Sequence, residues 1–175
     1  MYKKVFEGEF RVEEGKRILQ CHSKGNKEFS PFFCYVTAFG KKDSIENHYQ
    51  CAKRFDTCDA PSSWRDVKSC EKLRIRQVSW QIGKLNLPVK SNEQGNSFVI
   101  DDYGIQYYVM LWYKHLKENP QKLVYAKDFD DFEDPFAGYF PFCQAEVIKV
   151  VVREGIEALV PYFSELRDLL YKKES

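Results

Sequence analysis

The sequence predicts an α+β protein that is mostly helical, with a small β hairpin or sheet at its N-terminal end, in one compact domain. Its 175 residues, 43% of them hydrophobic and 16% aromatic, suffice for one buried core without disulfide bonds. Strand-like alternation of apolar and polar residues is found in residues 1–42. Helical spacing of apolar residues recurs through residues 43–175, which are therefore predicted to be helical.

Two extended elements are predicted in the N-terminal part. Residues 4–22 have the pattern of a hairpin that turns at Glu14 and Gly15. The short aromatic stretch at 29–36 has Pro31 near its start, and proline cannot donate a hydrogen bond within a sheet. This stretch is therefore predicted to be an edge strand or an extended wall segment.

The first predicted helix covers residues 43–55. Asp43 can cap its N-terminus, and Glu46 follows at the spacing of a capping box. One face is apolar, whereas Glu46, Gln50 and Lys53 recur at i, i+4 and i+7 on a polar stripe. If this stripe faced a cleft, its carboxylate, amide and ammonium groups could hold a sugar or a base edge. The alternative is that Glu46 only caps the helix and Lys53 only meets solvent.

The remainder of the chain is predicted to alternate between helices and irregular segments. Helices are expected over residues 64–80, 101–119, 120–127 and 143–172, the last broken at Pro161. Irregular segments are expected over residues 56–63, 83–100 and 128–142.

The charge balance argues against a protein dedicated to duplex DNA. The chain has 27 Lys and Arg against 26 Asp and Glu, a formal net charge of +1, whereas such proteins need a strong basic excess. The N-terminus has no apolar run of signal-peptide length, and no stretch of about 18 apolar residues is present to span a membrane. The expected location is therefore cytoplasmic, with no membrane partner.

Six cysteines are present, at positions 21, 34, 51, 58, 70 and 143. Without a secretory signal, reduced thiols in or near a core are favoured over a disulfide framework. Cys51, Cys58 and Cys70 are near His48 in the sequence, which leaves a zinc site as a less favoured alternative. No metal and no cofactor are predicted.

An acidic and aromatic segment lies late in the chain. Residues 128–134 contain five acidic residues and no basic residue, a composition usual for a solvated loop. Phenylalanines alternate with the acids, which ties the segment to a core and predicts that at least one carboxylate points inward or into a cleft. A carboxyl group held against aromatic rings has a raised pKa unless it finds a partner. A divalent metal bound by the clustered carboxylates is the third interpretation.

Two further features bear on ligand binding. Residues 65–90 contain seven basic and two acidic residues, which suits either phosphate binding or a solvated helix surface. Residues 143–146, Cys-Gln-Ala-Glu, open a predicted helix, where backbone N–H groups favour anions. Gln144 could contact a base edge there. The alternative is plain helix initiation, with Glu146 favourable near the positive end of the helix dipole.

Residues 29–55 resemble the opening of the NADAR family, which is linked to NAD and ADP-ribose metabolism and includes N-glycosidases of the riboflavin pathway. The matching motifs are Phe-Ser-Pro-Phe at 29–32 and Glu-Asn-His-Tyr-Gln-Cys-Ala-Lys at 46–53, with Gly40 in the turn between them. The family usually has Asn at the position of Pro31, and its C-terminal Trp-Gly and Asn-x-Leu-Gly elements are absent here. Residues 129–145 are more loosely similar to uncharacterised phage-encoded relatives.

The resemblance implies cleavage or binding of an N-glycosidic bond in a small nucleotide or ADP-ribosyl compound, with Glu46 at the position of the catalytic carboxylate. Asp130 or Asp134 is expected to bind ribose hydroxyls or to act as the second carboxylate. The remaining expected ligand contacts are Gln50 and Gln144 for the base, Lys53 for a phosphate, and Phe32, Tyr49 and Trp64 for stacking.

Two other functions stay open from the sequence. One is a non-catalytic nucleotide-binding module, such as a phage protein that captures a nucleotide signal. The other is a nucleic-acid base-modification factor that uses the basic stretch at 65–90. Nucleic acid is thus a possible partner but not the favoured one.

Overall fold

The computed structural model describes residues 9–89, 103–135 and 143–174, and it confirms the predicted α+β class. Its strands are β1 (Phe10–Glu13), β2 (Lys16–Gln20), β3 (Tyr35–Ala38), β4 (Lys41–Ser44), β5 (Lys53–Phe55), β6 (Gln77–Ile82), β7 (Leu85–Pro88) and β8 (Asp131–Glu133). Its α-helices are α1 (Ile45–Cys51), α2 (Trp64–Lys72), α3 (Tyr103–Glu118), α4 (Gln121–Ala126), α5 (Gln144–Glu154) and α6 (Ser164–Glu174). Short 3-10 helices cover Lys27–Phe29 and Ile156–Tyr162. Strands β5 to β8 lie after residue 42, so strands extend well beyond the expected N-terminal part.

The strands form three small sheets. β1 and β2 pair antiparallel through the predicted turn at Glu14 and Gly15, where Gly15 has the left-handed φ of +80° that glycine adopts easily. β8 joins β2 in parallel, with Phe132 opposite Leu19. β3 pairs with β4, and β5, β6 and β7 form an antiparallel sheet. The parallel pairing brings the acidic segment next to the N-terminal hairpin.

Helix α1 is shorter than predicted and is capped by a different residue. Ser44 Oγ accepts a hydrogen bond from the Asn47 backbone N–H at 3.1 Å, which makes Ser44 the N-cap. The Asp43 carboxylate instead accepts hydrogen bonds from the Ser44 N–H and the Asn47 side chain. Glu46 therefore does not complete a capping box, and its carboxylate does not cap the helix.

Local helical spacing predicts helix at positions that the structure places in strands. Residues 53–55 form β5 and pair with β6, although their apolar spacing continues that of α1. Helix α2 correspondingly ends at Lys72, before β6. Backbone pairing between distant segments outweighs the local pattern here, as is common for strands. Strands β7 and β8 also lie in segments that were expected to be irregular.

The helix predicted over residues 143–172 is interrupted, but the interruption begins at Gly155, before Pro161. Helix α5 ends at Glu154, and Gly155 has a φ of +94° before the 3-10 helix that contains Pro161. Parts of several other predictions fall at residues 4–8, 90–102 and 136–142, which lie outside the described residues.

Helix α3 lies at the centre of the core. Its residues from Gly104 to Trp112 are all buried, in agreement with the nearly all-round apolar character of residues 107–113. It contacts α1, α5, α6, β3 and β6. One of its rings, Tyr108, packs edge-on against Tyr49 of α1 with centroids 5.3 Å apart.

Gly104 lies against the Trp80 ring. A Cβ atom at residue 104 would overlap Trp80 Cζ2. Alanine normally stabilises a helix interior by about 1 kcal/mol relative to glycine. Here we expect Gly104→Ala to lower the free energy of unfolding by roughly 1–2 kcal/mol, because the destabilisation from overpacking is larger than the gain in helix propensity.

Urea denaturation measures this effect, and the double-mutant cycle with Trp80→Phe provides the control. The smaller ring removes the clashing atom, so the cost of Gly104→Ala should shrink in that background. An equal or larger cost in the Trp80→Phe background would contradict the proposed clash.

Candidate functional site

A cavity of about 510 Å³ lies where four separate stretches of chain meet. Its walls come from the loop after β2, the segment before β3, the polar stripe of α1, and the β8–α5 junction, with Tyr108 of α3 among the lining side chains. This volume is in the range of small-molecule sites. Seven of the nine predicted site residues line it: Phe32, Glu46, Tyr49, Gln50, Lys53, Asp134 and Gln144.

The backbone fixes α1 against the segment before β3. The Glu46 N–H donates to the Pro31 carbonyl at 3.0 Å, and the Ile45 N–H donates to the Cys34 carbonyl at 2.9 Å. These bonds satisfy N–H groups that the first turn of a helix leaves unpaired. They also place Glu46 beside Phe32, whose ring is 38% exposed.

Glu46 and Gln50 form the polar wall of the cavity. Gln50 Nε2 donates to Glu46 Oε1 at 3.4 Å, one helical turn apart. Burial raises the pKa of Glu46, and the Gln50 hydrogen bond and the Lys53 charge oppose that rise. Because the amide nitrogen faces Glu46, the Gln50 oxygen is oriented away, and this buried atom accepts no hydrogen bond from the described residues. A buried acceptor without a donor carries a desolvation cost that a ligand N–H could relieve.

Lys53 supplies a positive charge at the cavity. Its side chain is buried, and Nζ lies 3.3 Å from Glu71 Oε2 of helix α2. The same ammonium lies 5.3 Å from the centre of the Tyr49 ring, within cation–π range. Lys53 is therefore held in place between an aromatic face and a half-exposed carboxylate.

A second carboxylate, Asp134, also lines the cavity. Gln144 Nε2 donates to Asp134 Oδ2 and to the Cys21 carbonyl, and Gln144 Oε1 accepts from the Tyr108 hydroxyl at 2.9 Å. The Gln144 amide is thus engaged on both sides by the protein, and it positions Asp134. Its expected contact with a base is less suited to this geometry than the same contact from Gln50.

A hydrogen-bonded chain leads from the protein surface to His22 in the cavity wall. Arg11 forms a bidentate ion pair with Glu133, which lowers the pKa of Glu133. Gln20 Nε2 donates to Glu133 Oε1 at 3.0 Å, and Gln20 Oε1 lies 3.2 Å from His22 Nε2. An amide oxygen only accepts, so His22 Nε2 carries a proton. Burial lowers the pKa of His22, which favours its neutral form.

Asp130 and Trp64 are the two predicted site residues that do not line this cavity. Asp130 is exposed, and its carboxylate accepts a hydrogen bond from the Arg17 N–H at 2.8 Å, which helps to extend the β2–β8 pairing. Trp64 packs edge-on against Phe32 with centroids 5.4 Å apart, so it supports the aromatic wall from behind. The structure thus places these two side chains outside the cavity lining, in contrast to the expectation.

Two other acidic side chains of the segment, Asp131 and Glu133, form ion pairs. Phe129 and Phe132 are buried, as their alternation with the acids predicts. Asp131 Oδ1 lies 3.3 Å from Lys149 Nζ, and Glu133 pairs with Arg11. Among the described residues, no group of three His, Cys, Asp or Glu side chains is arranged to hold a metal ion. Of the residues considered for zinc, His48 has its Nε2 hydrogen-bonded to the Val36 carbonyl at 2.8 Å.

Sequence patterns alone did not indicate several lining residues. His22, Ser23 and Lys24 follow β2, and Tyr108 lies in the buried, mostly apolar part of α3. A position next to a strand end is only a weak signal of a binding site, and nothing in the sequence around Tyr108 indicated one. These four residues reach the cavity because elements that are distant in the sequence pack together.

The cavity therefore combines two carboxylates, two ammonium-bearing lysines, an available amide oxygen and aromatic faces. Such a set can bind a polar, planar ligand with an attached sugar and can stabilise positive charge. Within the described ranges, no helix has both the length and the apolar character needed to cross a bilayer. Comparison with protein-family models and with curated proteins yields no match for this chain.

Proposed function

We propose that the protein is an N-glycosidase-like enzyme that acts on the N-glycosidic bond of a nucleotide or an ADP-ribosyl compound. The observation that carries the proposal is the meeting of Glu46 and Asp134, from distant stretches of chain, at one cavity that also presents the Gln50 oxygen. The resemblance of residues 29–55 to the NADAR family supports the same assignment.

The proposed chemistry uses Glu46 as the catalytic carboxylate. Breaking a ribose–nitrogen bond develops positive charge on the sugar, as in an oxocarbenium ion, and a nearby carboxylate stabilises that charge or activates water. Asp134 would bind ribose hydroxyls or act as the second carboxylate. Gln50 would accept a hydrogen bond from the base, Lys53 would bind a phosphate, and Phe32 and Tyr49 would stack on planar groups.

The direct test is base or amine release from candidate substrates. The protein is incubated with NAD, ADP-ribosylated guanosine and ribosylamino-pyrimidines, and the products are separated by chromatography. Release from at least one compound supports the proposal. The proposal would be overturned if none of these compounds gave either release or a ligand-induced thermal shift.

The pair Asp134→Asn and Asp130→Asn separates a cavity role from a general charge effect. We expect Asp134→Asn to lower the rate by about 10²-fold, since it removes a carboxylate from the cavity, and Asp130→Asn to leave the rate nearly unchanged. Both changes remove one charge from the same segment. Equal losses in the two variants would argue against a role for Asp134.

The non-catalytic binding module remains the second candidate, because Asp130 is remote from the cavity. A thermal shift with a nucleotide and no product would favour it, including the form of this hypothesis in which a phage protein captures a nucleotide signal.

For the nucleic-acid alternative, the Arg65 guanidinium and the Lys68 ammonium lie 4.6 Å and 5.2 Å from the centre of the Trp64 ring. Binding that falls steeply with added salt would support that alternative.

A reducing, cytoplasmic location is part of the proposal. All six cysteines are free thiols in the structure, as expected for a protein kept in its reduced form.

A further inference from the structure

Two cysteines outside the cavity lie close together. Cys58 follows β5 in the loop that leads to α2, and Cys70 lies near the end of α2. The Cys70 thiol donates a hydrogen bond to Cys58 Sγ, with the two sulfur atoms 3.0 Å apart. Both side chains are partly exposed, whereas Cys21 and Cys34 are fully buried.

The backbone holds both cysteines in place. The Cys58 N–H donates to the Phe55 carbonyl at the end of β5, and the Ile75 N–H donates to the Cys70 carbonyl at 3.1 Å. A disulfide has a sulfur–sulfur length of about 2.05 Å. The two sulfur atoms therefore need to approach by only about 1 Å, which side-chain rotation can supply.

We propose that Cys58 and Cys70 form a reversible disulfide when the protein meets a low-molecular-weight disulfide such as oxidised glutathione. The proposal is independent of the function assigned to the cavity. It makes this pair a redox-modification site on the loop and helix that flank β5.

The reaction proceeds by two thiol–disulfide exchanges. The Cys58 thiolate attacks one sulfur of oxidised glutathione, and a glutathione thiolate leaves. The Cys70 thiolate then attacks the Cys58 sulfur of the mixed disulfide, and the second glutathione thiolate leaves. The protein loses two electrons and two protons, and oxidised glutathione gains them as two molecules of glutathione.

The hydrogen bond between the thiols favours Cys58 as the first nucleophile. Cys70 is the donor in this bond, and the Cys58 sulfur is the acceptor. The same bond raises the pKa of Cys70 to about 11, which keeps Cys70 protonated until the mixed disulfide has formed.

Oxidation would tie α2 to the chain that follows β5. Helix α2 carries Glu71, the ion-pair partner of Lys53, directly after Cys70. The new bond would close a short loop around residues 58–70 and restrict the unfolded chain. We therefore expect the oxidised protein to melt roughly 5–10 °C higher than the reduced protein.

The test is thiol counting on the full chain after equilibration with glutathione buffers of rising oxidised fraction. Alkylation in denaturant should label six cysteines in the reduced protein and four in the oxidised protein. Peptide mapping should find Cys58 joined to Cys70. Six labelled cysteines after oxidation, a persistent glutathione adduct, or a disulfide between other cysteines would overturn the proposal.

Three single variants serve as matched controls. Cys58→Ser and Cys70→Ser should each abolish the disulfide and the rise in melting temperature. Cys51→Ser removes another partly exposed thiol and should leave both unchanged. Loss of the rise in Cys51→Ser alone would also contradict the assigned pair.

Discussion

Glu46→Gln is expected to lower base release by about 10²–10⁴-fold, the usual contribution of a positioned catalytic carboxylate. Glutamine keeps the size of the side chain and an oxygen that can accept the Gln50 hydrogen bond. It lacks the negative charge that would stabilise the developing cation on the sugar. Binding of a nucleotide should therefore persist while turnover is lost, which steady-state kinetics and a thermal shift measure separately.

The pH dependence of the wild-type protein provides an independent check. Burial raises the pKa of Glu46 above that of an ordinary glutamic acid. Since the ionised Glu46 carboxylate is the catalytic form, activity should be lost as the pH decreases. The loss should occur at a higher pH than an ordinary carboxyl group would give. The acid limb of the pH–rate profile measures this.

The Glu46→Gln substitution is expected to affect stability in the opposite direction to its effect on activity. A carboxyl group whose pKa is raised on folding favours the folded state below its unfolded pKa, and this contribution is lost as pH rises through the folded pKa. At neutral pH the charge is a cost, so Glu46→Gln should be at least as stable as the wild type. Glu118→Gln, at an exposed position, is the matched control. A turnover rate that survives in Glu46→Gln would exclude the proposed role.

Lys122→Met is expected to lower the free energy of unfolding by about 2–4 kcal/mol. The buried Lys122 ammonium donates to the Glu28 carbonyl at 2.7 Å and contacts His115 Nε2 at 2.8 Å. It also lies 3.3 Å from the Glu28 carboxylate. Methionine fills the space but leaves the buried carbonyl and the histidine nitrogen without this donor.

His115 gives this prediction a pH signature. His115 Nδ1 is bonded to the Tyr35 carbonyl, which requires its proton there and leaves Nε2 as the acceptor for Lys122. Burial lowers the pKa of His115, and the Lys122 charge adds to that effect. The contribution to stability is therefore present above the unfolded pKa and is lost as pH falls toward the lower folded pKa. The pKa of His22 is lowered as well, so NMR titration is needed to distinguish the two histidines.

Urea denaturation at neutral pH measures the cost of Lys122→Met. Lys127→Met is the control, since Lys127 is exposed at the end of the same helix, α4. Equal stability changes in both variants would indicate that the buried hydrogen bonds contribute little. In Lys122→Met, the pKa of His115 should also rise toward its ordinary value.

The parts of the fold that depend on local periodicity could be predicted from the sequence. The hairpin turn at Glu14 and Gly15, the buried helix α3 and the break near Pro161 follow from turn residues, apolar runs and proline. The class of fold follows as well. The strands β5 and β6 could not be predicted, because the apolar spacing of residues 53–55 and 77–80 also fits a helix, and β7 lies in a segment expected to be irregular.

The candidate site shows the same division. Helical spacing predicted a polar stripe of Glu46, Gln50 and Lys53, and all three line the cavity, although Lys53 lies in β5 and not in α1. In the acidic segment, alternation with phenylalanine predicted that one carboxylate points into a cleft. Spacing alone did not distinguish Asp134, which does so, from Asp130, whose partner is the Arg17 backbone far away in the sequence.

The cavity described above has walls from residue 22 to residue 144, so its shape requires most of the chain to be folded at once. A ligand bound in this cavity is therefore expected to stabilise the folded chain as a whole. Saturating ligand should slow amide hydrogen exchange in β2, α1 and α5 together, and peptides from any one of these elements should not bind alone.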